Sequence, residues 1–86
     1  MEWRPILFSD HARDRMGKRG TTEAEVEMVI RDSPWKQTKL DRFEAQAAFP
    51  FQAIWNNKFY ATKIVNSIFI TEGETIVVIT VYVFYS

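Results

Sequence analysis

Three side chains suited to phosphate chemistry recur at a fixed spacing near the start of the chain. His11, Arg15 and Arg19 are each four residues apart. On a helix this spacing keeps them on one side, with a total drift of about 80°. A guanidinium donates two parallel hydrogen bonds to phosphate oxygens, and an imidazole exchanges a proton near neutral pH. The stripe therefore predicts a site that binds phosphate and moves a proton, and Lys18 lies close to it.

The same stripe has a plainer interpretation. A helix with histidine, arginine and lysine on one side is usually a solvated face, and spacing alone favours that interpretation, because function belongs to sites and not to helices in general. The stripe indicates a function only when other elements of the chain bring partners to it.

Two hydroxyl groups near the carboxyl end are the candidate partners. Thr80 and Tyr82 are two residues apart in an apolar segment, so strand alternation puts both on one face. Strict alternation predicts that this face also carries Ile76, Val78 and Phe84. If the first helix packs beside this face, the hydroxyls approach the stripe. The alternative, which the sequence leaves equally open, is that backbone groups at the sheet edge satisfy both hydroxyls.

Composition excludes several other kinds of site. The chain has no cysteine, one histidine and three scattered glycines, so it offers no clustered metal ligands and no glycine-rich phosphate loop. Its serines lack the sequence of a nucleophile turn. Eleven basic residues balance eleven acidic ones, which argues against indiscriminate attachment to nucleic acid or membrane. We expect no metal and no other cofactor.

Four aromatic side chains of the middle segment admit two interpretations: Trp35, Phe49, Phe51 and Trp55. Such rings stack on nucleobases. They are more often core residues or contacts between two copies, and that interpretation is favoured.

The elements that must position these residues belong to one domain, residues 1–86, because 86 residues leave no room for a second. Residues 10–18 are predicted to form a helix that Ser9 or Asp10 caps and Gly20 ends. A capping box opens a second helix at Thr22. Both helices are too short to be stable alone, so they need a sheet to pack on.

Alternating and β-branched segments predict that sheet. The predicted strands are residues 5–8, residues 42–49 ended by Pro50, residues 51–55, residues 59–70 with a bend at Asn66 and Ser67, and Thr75–Tyr85. Asn56 and Asn57 form a tight turn. The last strand is apolar on both faces, so we expect it at the centre, covered on both sides. The predicted class is α+β: two amino-terminal helices packed on a twisted, mainly antiparallel sheet of about four strands.

The order of these motifs resembles the DUF4258 family of small domains. The resemblance rests on a His-Ala-x-x-Arg-Met helix in residues 8–16, on Arg19-Gly20, on a capped helix that closes at Ser33-Pro34, and on Val-Ile-Thr-Val-Tyr at residues 78–82. That family is similar to RelE/ParE-like toxins, which implies a RelE-like fold and a ribonuclease-type toxin. By position, its polar signature falls on His11, Arg15, Arg19 and Thr80, followed by Tyr82. Residues 50–57 and 83–86 depart from the family pattern.

Together these observations predict a metal-independent endoribonuclease of the toxin-like class. Such chemistry needs a base, an acid and cations that stabilise a developing phosphorane. The expected roles are catalysis by His11, Arg15 and Tyr82, phosphate binding by Arg15, Lys18 and Arg19, and orientation of hydrogen bonds by Thr80.

Two rival functions stay open: a non-catalytic interaction module, and an inactive toxin-like domain. The expected partners are RNA, a small acidic antitoxin, or a second copy bound through the carboxyl-terminal strand or the aromatic residues. No membrane is expected, since the longest apolar run is about half of a spanning helix. Without a leader-like amino terminus or cysteines, the expected location is the cytoplasm.

Overall fold

The computed structural model describes residues 3–86, which form two helices and five strands. In chain order they are β1 (Ile6–Phe8), α1 (Asp10–Arg19), α2 (Glu23–Asp32), β2 (Lys36–Gln37), β3 (Phe43–Trp55), β4 (Lys58–Glu72) and β5 (Thr75–Tyr85), with a 3₁₀ turn at Lys39–Asp41. Neither helix of this part of the chain is long and apolar enough to cross a bilayer.

The strands form one sheet in the order β1-β5-β4-β3-β2. β1 runs parallel to β5, and all other neighbouring strands are antiparallel. The predicted α+β class is confirmed, with two amino-terminal helices on a mainly antiparallel sheet. The sheet has five strands instead of about four, because the two-residue strand β2 pairs with the start of β3.

The helix ends follow the predicted caps. The Ser9 side chain accepts a backbone hydrogen bond at the start of α1, and Gly20 lies beyond its end at φ 82°, in the left-handed region. Thr22 and Glu25 form a reciprocal capping box at the start of α2. The backbone becomes extended at Ser33, which ends α2 as predicted.

Both helices pack on one face of the sheet, and the core lies between the two layers. Its buried apolar residues are Ala12, Met16, Val26, Val29 and Ile30 from the helices, and Ala45, Val65, Phe69, Ile76, Val78 and Val81 from the strands. Burial of each large aliphatic or aromatic side chain stabilises the fold by about 1.5–3 kcal/mol. This layer holds α1 against β5, and α2 against β3 and β4.

Strand β3 continues through Pro50, where the sequence predicts an end. Pro50 is still paired with β4, and the register then shifts before Ala53 pairs with Tyr60. A bulge interrupts the ladder of hydrogen bonds, and proline is tolerated where that ladder is interrupted. The predicted strands 42–49 and 51–55 are therefore one strand.

Two predictions about asparagines have different outcomes. Asn56 and Asn57 form the predicted hairpin turn, with φ 51° and 65°, as a tight turn between twisted strands requires. The bend predicted at Asn66 and Ser67 is wrong, because both residues lie inside β4 and pair regularly with β3 and β5.

The sequence predicts that β5 lies at the centre of the sheet and is covered on both faces, and this prediction is wrong for its second half and for one face. Strand β4 pairs with β5 along its length, whereas β1 pairs only with Ile76–Val78. The helices cover one face. We call the opposite face, which carries Leu7, Tyr82 and Phe84, the open face; these side chains are 58%, 43% and 55% exposed.

The aromatic residues of the middle segment pack on the helix-covered side, as predicted for core residues. Trp35 and Phe49 pack against the core. Phe51 and Trp55 pack against Tyr85, each with ring centroids 5.0 Å apart. All four rings thus make packing contacts within the protein, which agrees with their interpretation as core residues.

Candidate functional site

Helix α1 is fixed to strand β5 at both of its ends. At its start, Ser9 donates its backbone N–H to the Val78 carbonyl (3.0 Å) and its hydroxyl to the Ile79 carbonyl (3.1 Å). At its end, the Tyr85 hydroxyl donates to the Arg19 carbonyl (2.6 Å). Each such hydrogen bond stabilises the fold by about 0.5–1.5 kcal/mol. Together they lay the helix along the second half of β5.

The predicted stripe lies at the border between α1 and solvent. Ala12 and Met16 are buried in the core, whereas His11 is exposed and Arg15 and Arg19 are half-buried. No hydrogen bond within residues 3–86 engages the imidazole. The helix therefore separates a buried apolar side from a basic side, as its spacing predicts.

Arg19 joins this stripe to strand β5. Its Nη1 donates to the Val81 carbonyl at 2.6 Å, and its guanidinium carbon lies 4.9 Å from the centroid of the Tyr82 ring. A cation–π contact at an exposed site contributes about 0.5–1 kcal/mol. A guanidinium has five N–H groups, so donors remain for a ligand. Arg19 and Tyr82, both predicted site residues, are thus in direct contact.

A bulge in β5 decides which face carries the hydroxyl groups. Ile68 of β4 pairs with Thr80, but the next residue of β4, Phe69, pairs with Val78. Ile79 is therefore an extra residue in β5, and the alternation of side chains reverses there.

The reversal corrects the predicted face. Ile76 and Val78 are buried in the core on the helix-covered face, while Thr80, Tyr82 and Phe84 lie on the open face. The expectation that Thr80 and Tyr82 share a face with Ile76 and Val78 is wrong; the expectation that they share one with Phe84 is confirmed. The alternation of residue types in the sequence cannot reveal this reversal of faces, because the pattern reads the same with or without a bulge.

We call the surface formed by His11, Arg15, Arg19, Thr80 and Tyr82 the edge site. Its two elements meet through Arg19. No hydrogen bond within the described chain joins the two hydroxyl groups to the imidazole or to the Arg15 guanidinium. The contact predicted between the stripe and the face with the hydroxyl groups is therefore shown only for Arg19 and Tyr82, and the approach of the hydroxyls to His11 and Arg15 stays a prediction.

Lys18 makes a separate contact. Its Nζ lies 3.2 Å from Asp14 Oδ2, and both side chains are at least half exposed. An exposed pair at this spacing contributes about 0.3–0.5 kcal/mol. The ammonium group is thus weakly held and lies beside the edge site, without contacting strand β5.

The second half of β5 also presents an unpaired backbone edge. Ser86 exchanges two hydrogen bonds with Thr62 of β4, so alternate residues of β5 bond to β4 in the same way. The residues between them, Val81, Val83 and Tyr85, direct their N–H and C=O groups away from β4. The Arg19 guanidinium donates a hydrogen bond to one of these groups, the Val81 carbonyl.

A buried polar cluster beyond the end of α1 was missed by sequence reasoning. Lys63 Nζ donates to the Gly20 carbonyl (3.0 Å) and to Glu25 Oε1 (2.9 Å), and Thr21 Oγ1 donates to the same carboxylate oxygen (2.9 Å). Burial acts to raise the pKa of Glu25, but the hydrogen bonds from Lys63 and Thr21 outweigh it and lower the pKa. Burial, and then the Glu25 charge, raise the pKa of Tyr85.

This cluster ties the corner between the helices to the sheet. The only signal for it in the sequence is Lys63, the one charged residue inside β4 between Lys58 and Glu72 at its ends. A buried lysine needs an acceptor, and the capping glutamate Glu25 is a natural one. The cluster is part of the packing and not part of the edge site.

Residues 3–86 place no group of three or more histidine, cysteine, aspartate or glutamate side chains where it could hold a metal ion. Comparisons of the chain with protein-family models, with curated proteins and with solved structures find no match.

Proposed function

We propose that the chain binds single-stranded RNA along the edge site and cleaves it without a metal ion. The observation that carries the proposal is the position of Arg19, which spans the gap between α1 and β5 and lies over the ring of Tyr82. A cation with unused donors, a phenol and an exposed imidazole on the same helix are the groups that cleavage of a phosphodiester requires.

The proposed reaction is an internal transfer at phosphorus. The imidazole of His11 accepts the proton of the 2′-hydroxyl, and the 2′-oxygen attacks the neighbouring phosphorus. Arg15 and Arg19 donate hydrogen bonds to the phosphate oxygens as negative charge develops on them. Tyr82 donates its proton to the departing 5′-oxygen, and Thr80 orients the phosphate. The products are a 2′,3′-cyclic phosphate and a free 5′-hydroxyl.

Local charge supports binding of a polyanion in spite of the neutral chain. Helix α1 carries four basic residues, Arg13, Arg15, Lys18 and Arg19, and only two acidic ones, Asp10 and Asp14. A strand of RNA that follows the rim of the sheet passes along this positively charged helix. Because each neutralised phosphate releases a counterion, the affinity should fall with rising salt concentration.

The proposal is tested by incubating the purified chain with a 5′-labelled single-stranded RNA in the presence of EDTA. The wild-type chain should produce fragments that end in a 2′,3′-cyclic phosphate. His11→Ala should lower the cleavage rate at least 100-fold, since a positioned acid or base contributes about 10²–10⁴-fold. Circular dichroism and the melting temperature should stay unchanged, because this side chain is exposed.

Arg13→Ala is the matched control. Arg13 lies on the same helix, about 200° around from Arg15, and its Nε is 3.5 Å from Glu23 Oε2. Its removal should leave the rate within a factor of two. Equal rates for wild type and His11→Ala, or no cleavage by the wild type, contradict the proposed catalysis.

A non-catalytic homodimer is the second candidate, favoured by the exposed edge of β5. If two copies pair antiparallel about Phe84, Val83 of one copy faces Tyr85 of the other, which allows about four backbone hydrogen bonds without displacing Arg19 from Val81. The exposed Phe84 rings then meet on the open face. Sedimentation equilibrium should show a dimer that Phe84→Glu dissociates; a monomer at all concentrations contradicts it.

A further inference from the structure

A polar row crosses the open face beside the edge site. Gln46 of β3 pairs with Asn66 of β4, which in turn pairs with Tyr82 of β5. Their side chains therefore lie side by side on one face. Neighbouring strands are about 4.8 Å apart, so the row spans roughly 10 Å. Arg19, whose guanidinium lies over the Tyr82 ring, extends the row to α1.

A shallow pocket of about 410 Å³ lies at the β3 end of this row. It is lined by Pro34, Lys36, Glu44, Gln46 and Asn66. The lining combines a carboxylate, two amides and an ammonium group, and none of these residues belongs to the core. Convergent polar groups in a concave site are typical of ligand binding.

Asn66 organises the lining of this pocket. Its Nδ2 donates to Glu44 Oε2 (3.2 Å) and to Gln46 Oε1 (3.0 Å). A carboxylate only accepts hydrogen bonds, so the contact with Glu44 fixes the orientation of the amide. The residue is 8% exposed, and its Oδ1 is buried with no partner in the described chain. A buried acceptor without a partner is rare in folded proteins, so the two hydrogen bonds to Glu44 and Gln46 are what hold the amide in this orientation.

These contacts leave a defined set of groups for a ligand. Glu44 Oε1, the amide nitrogen of Gln46 and the ammonium of Lys36 make no hydrogen bond or ion pair within residues 3–86. Glu44 Oε1 accepts from one donor of a ligand, and Oε2, which already accepts from Asn66, has a second lone pair for an adjacent donor. The amide of Gln46 and the ammonium of Lys36 donate to an acceptor beside them.

Among the four RNA bases, guanine matches this set. Its pairing edge carries two adjacent donors, N1–H and N2–H₂, next to the O6 acceptor. Adenine and cytosine present one amino donor beside an acceptor nitrogen, and uracil presents one donor between two acceptors. Each of these three bases would direct a lone pair at the Glu44 carboxylate, which disfavours its binding.

We propose that this pocket binds a guanine base and makes RNA binding at the edge site selective for guanine. The proposal rests on the proposed function, because an RNA strand at the edge site brings a base to the pocket. The neighbouring base then reaches the Tyr82 ring or the Arg19 guanidinium, both of which are platforms for stacking.

The first test uses labelled eight-nucleotide oligouridines that carry one central G, A or C. The wild-type chain should bind the G-containing RNA at least tenfold more tightly than the others. Glu44→Gln should abolish this preference and leave the affinity for plain oligouridine within twofold, because glutamine keeps an acceptor for Asn66 but cannot accept both donors of guanine. Glu74→Gln, which changes an exposed carboxylate in the β4–β5 turn, should keep the preference.

The second test adds guanosine monophosphate, so that the pocket is probed without RNA binding. Backbone amide NMR signals of Glu44, Gln46 and Asn66 should shift with this nucleotide, should not shift with adenosine monophosphate, and should not shift in Glu44→Gln. If these signals shift but no RNA binds, the pocket stands and the proposed function fails.

Two outcomes would overturn the proposal that the pocket binds guanine. If all RNAs bind alike and guanosine monophosphate shifts none of these signals, the RNA function stands and the pocket proposal is wrong; if no RNA binds either, both are wrong. If the signals shift only with rising protein concentration, the pocket is a contact between copies of the chain and binds no nucleotide.

Discussion

The two faces of the sheet differ in what their side chains contact. On the helix-covered face, Phe69 and Val78 are fully buried under α1 and α2. On the open face, the large side chains of Tyr82 and Phe84 remain about half exposed, and the polar row of Gln46, Asn66 and Tyr82 crosses three strands. The helix-covered face therefore contains the core, and we expect substitutions on the open face to leave the fold intact.

Phe69→Ala and Phe84→Ala test this comparison with the largest expected difference. Loss of the buried Phe69 ring should lower the free energy of unfolding by about 3–5 kcal/mol, because it removes apolar burial and leaves a cavity. Loss of the exposed Phe84 ring should lower it by less than about 1 kcal/mol. Urea denaturation measures both. Equal losses would show that the open face also belongs to the core.

Gly20→Ala tests the end of the helix-covered side, where α1 meets Tyr85 and Trp55. Gly20 has φ 82°, and a Cβ there would lie 2.5 Å from the Tyr85 hydroxyl and 2.9 Å from the Trp55 ring. We expect a loss of about 1–3 kcal/mol in thermal or urea denaturation. Gly17→Ala is the control: nothing lies within 4 Å of its Cβ, so alanine should stabilise the helix by about 0.5–1 kcal/mol. A neutral Gly20→Ala contradicts the packing.

Glu25→Gln tests whether the buried polar cluster stabilises the covered side. The pKa of Glu25 is lower in the folded chain than its ordinary value of 4.5, so its carboxylate stabilises the fold above that value. This contribution is lost as pH falls from 4.5 through the lowered pKa. Wild type should exceed Glu25→Gln by about 1 kcal/mol at pH 7, and the difference should disappear in acid. A difference independent of pH contradicts this linkage.

Lys18→Ala should have the smallest effect on stability. The exposed Lys18–Asp14 pair contributes little, so the free energy of unfolding should change by less than about 0.5 kcal/mol. Differential scanning calorimetry at low salt is the measurement. A larger loss would mean that the basic side of α1 contributes to the fold as well as to the edge site.

Much of the fold is predictable because local chemistry determines it. The Ser9 and Thr22 caps, the left-handed Gly20 and the turn at Asn56 and Asn57 all depend on residues within a few positions. The failures have non-local causes. Pro50 does not end its strand, because a bulge shared with β4 accommodates it.

The candidate site is predictable only in part, for the same reason. The spacing of Arg15 and Arg19 places them correctly on α1, since helical geometry is local. The extra residue Ile79 in β5 moves Thr80 to the open face, and only the pairing with β4 reveals it. The role of Asn66 likewise depends on Glu44 and Gln46, which are distant in sequence and adjacent across the sheet.

If the edge site binds RNA phosphates, the affinity for RNA must fall as the salt concentration rises, because each phosphate contact releases a counterion. The affinity of wild type, Arg15→Ala and Arg13→Ala for a single-stranded RNA should be measured from low to physiological salt. We expect the slope of log affinity against log salt to fall in magnitude by about 0.7 in Arg15→Ala, which is one phosphate contact. The slope should not change in Arg13→Ala. Equal slopes for all three proteins would show that Arg15 contacts no phosphate, and an affinity that does not depend on salt would show that the edge site binds no RNA phosphate at all.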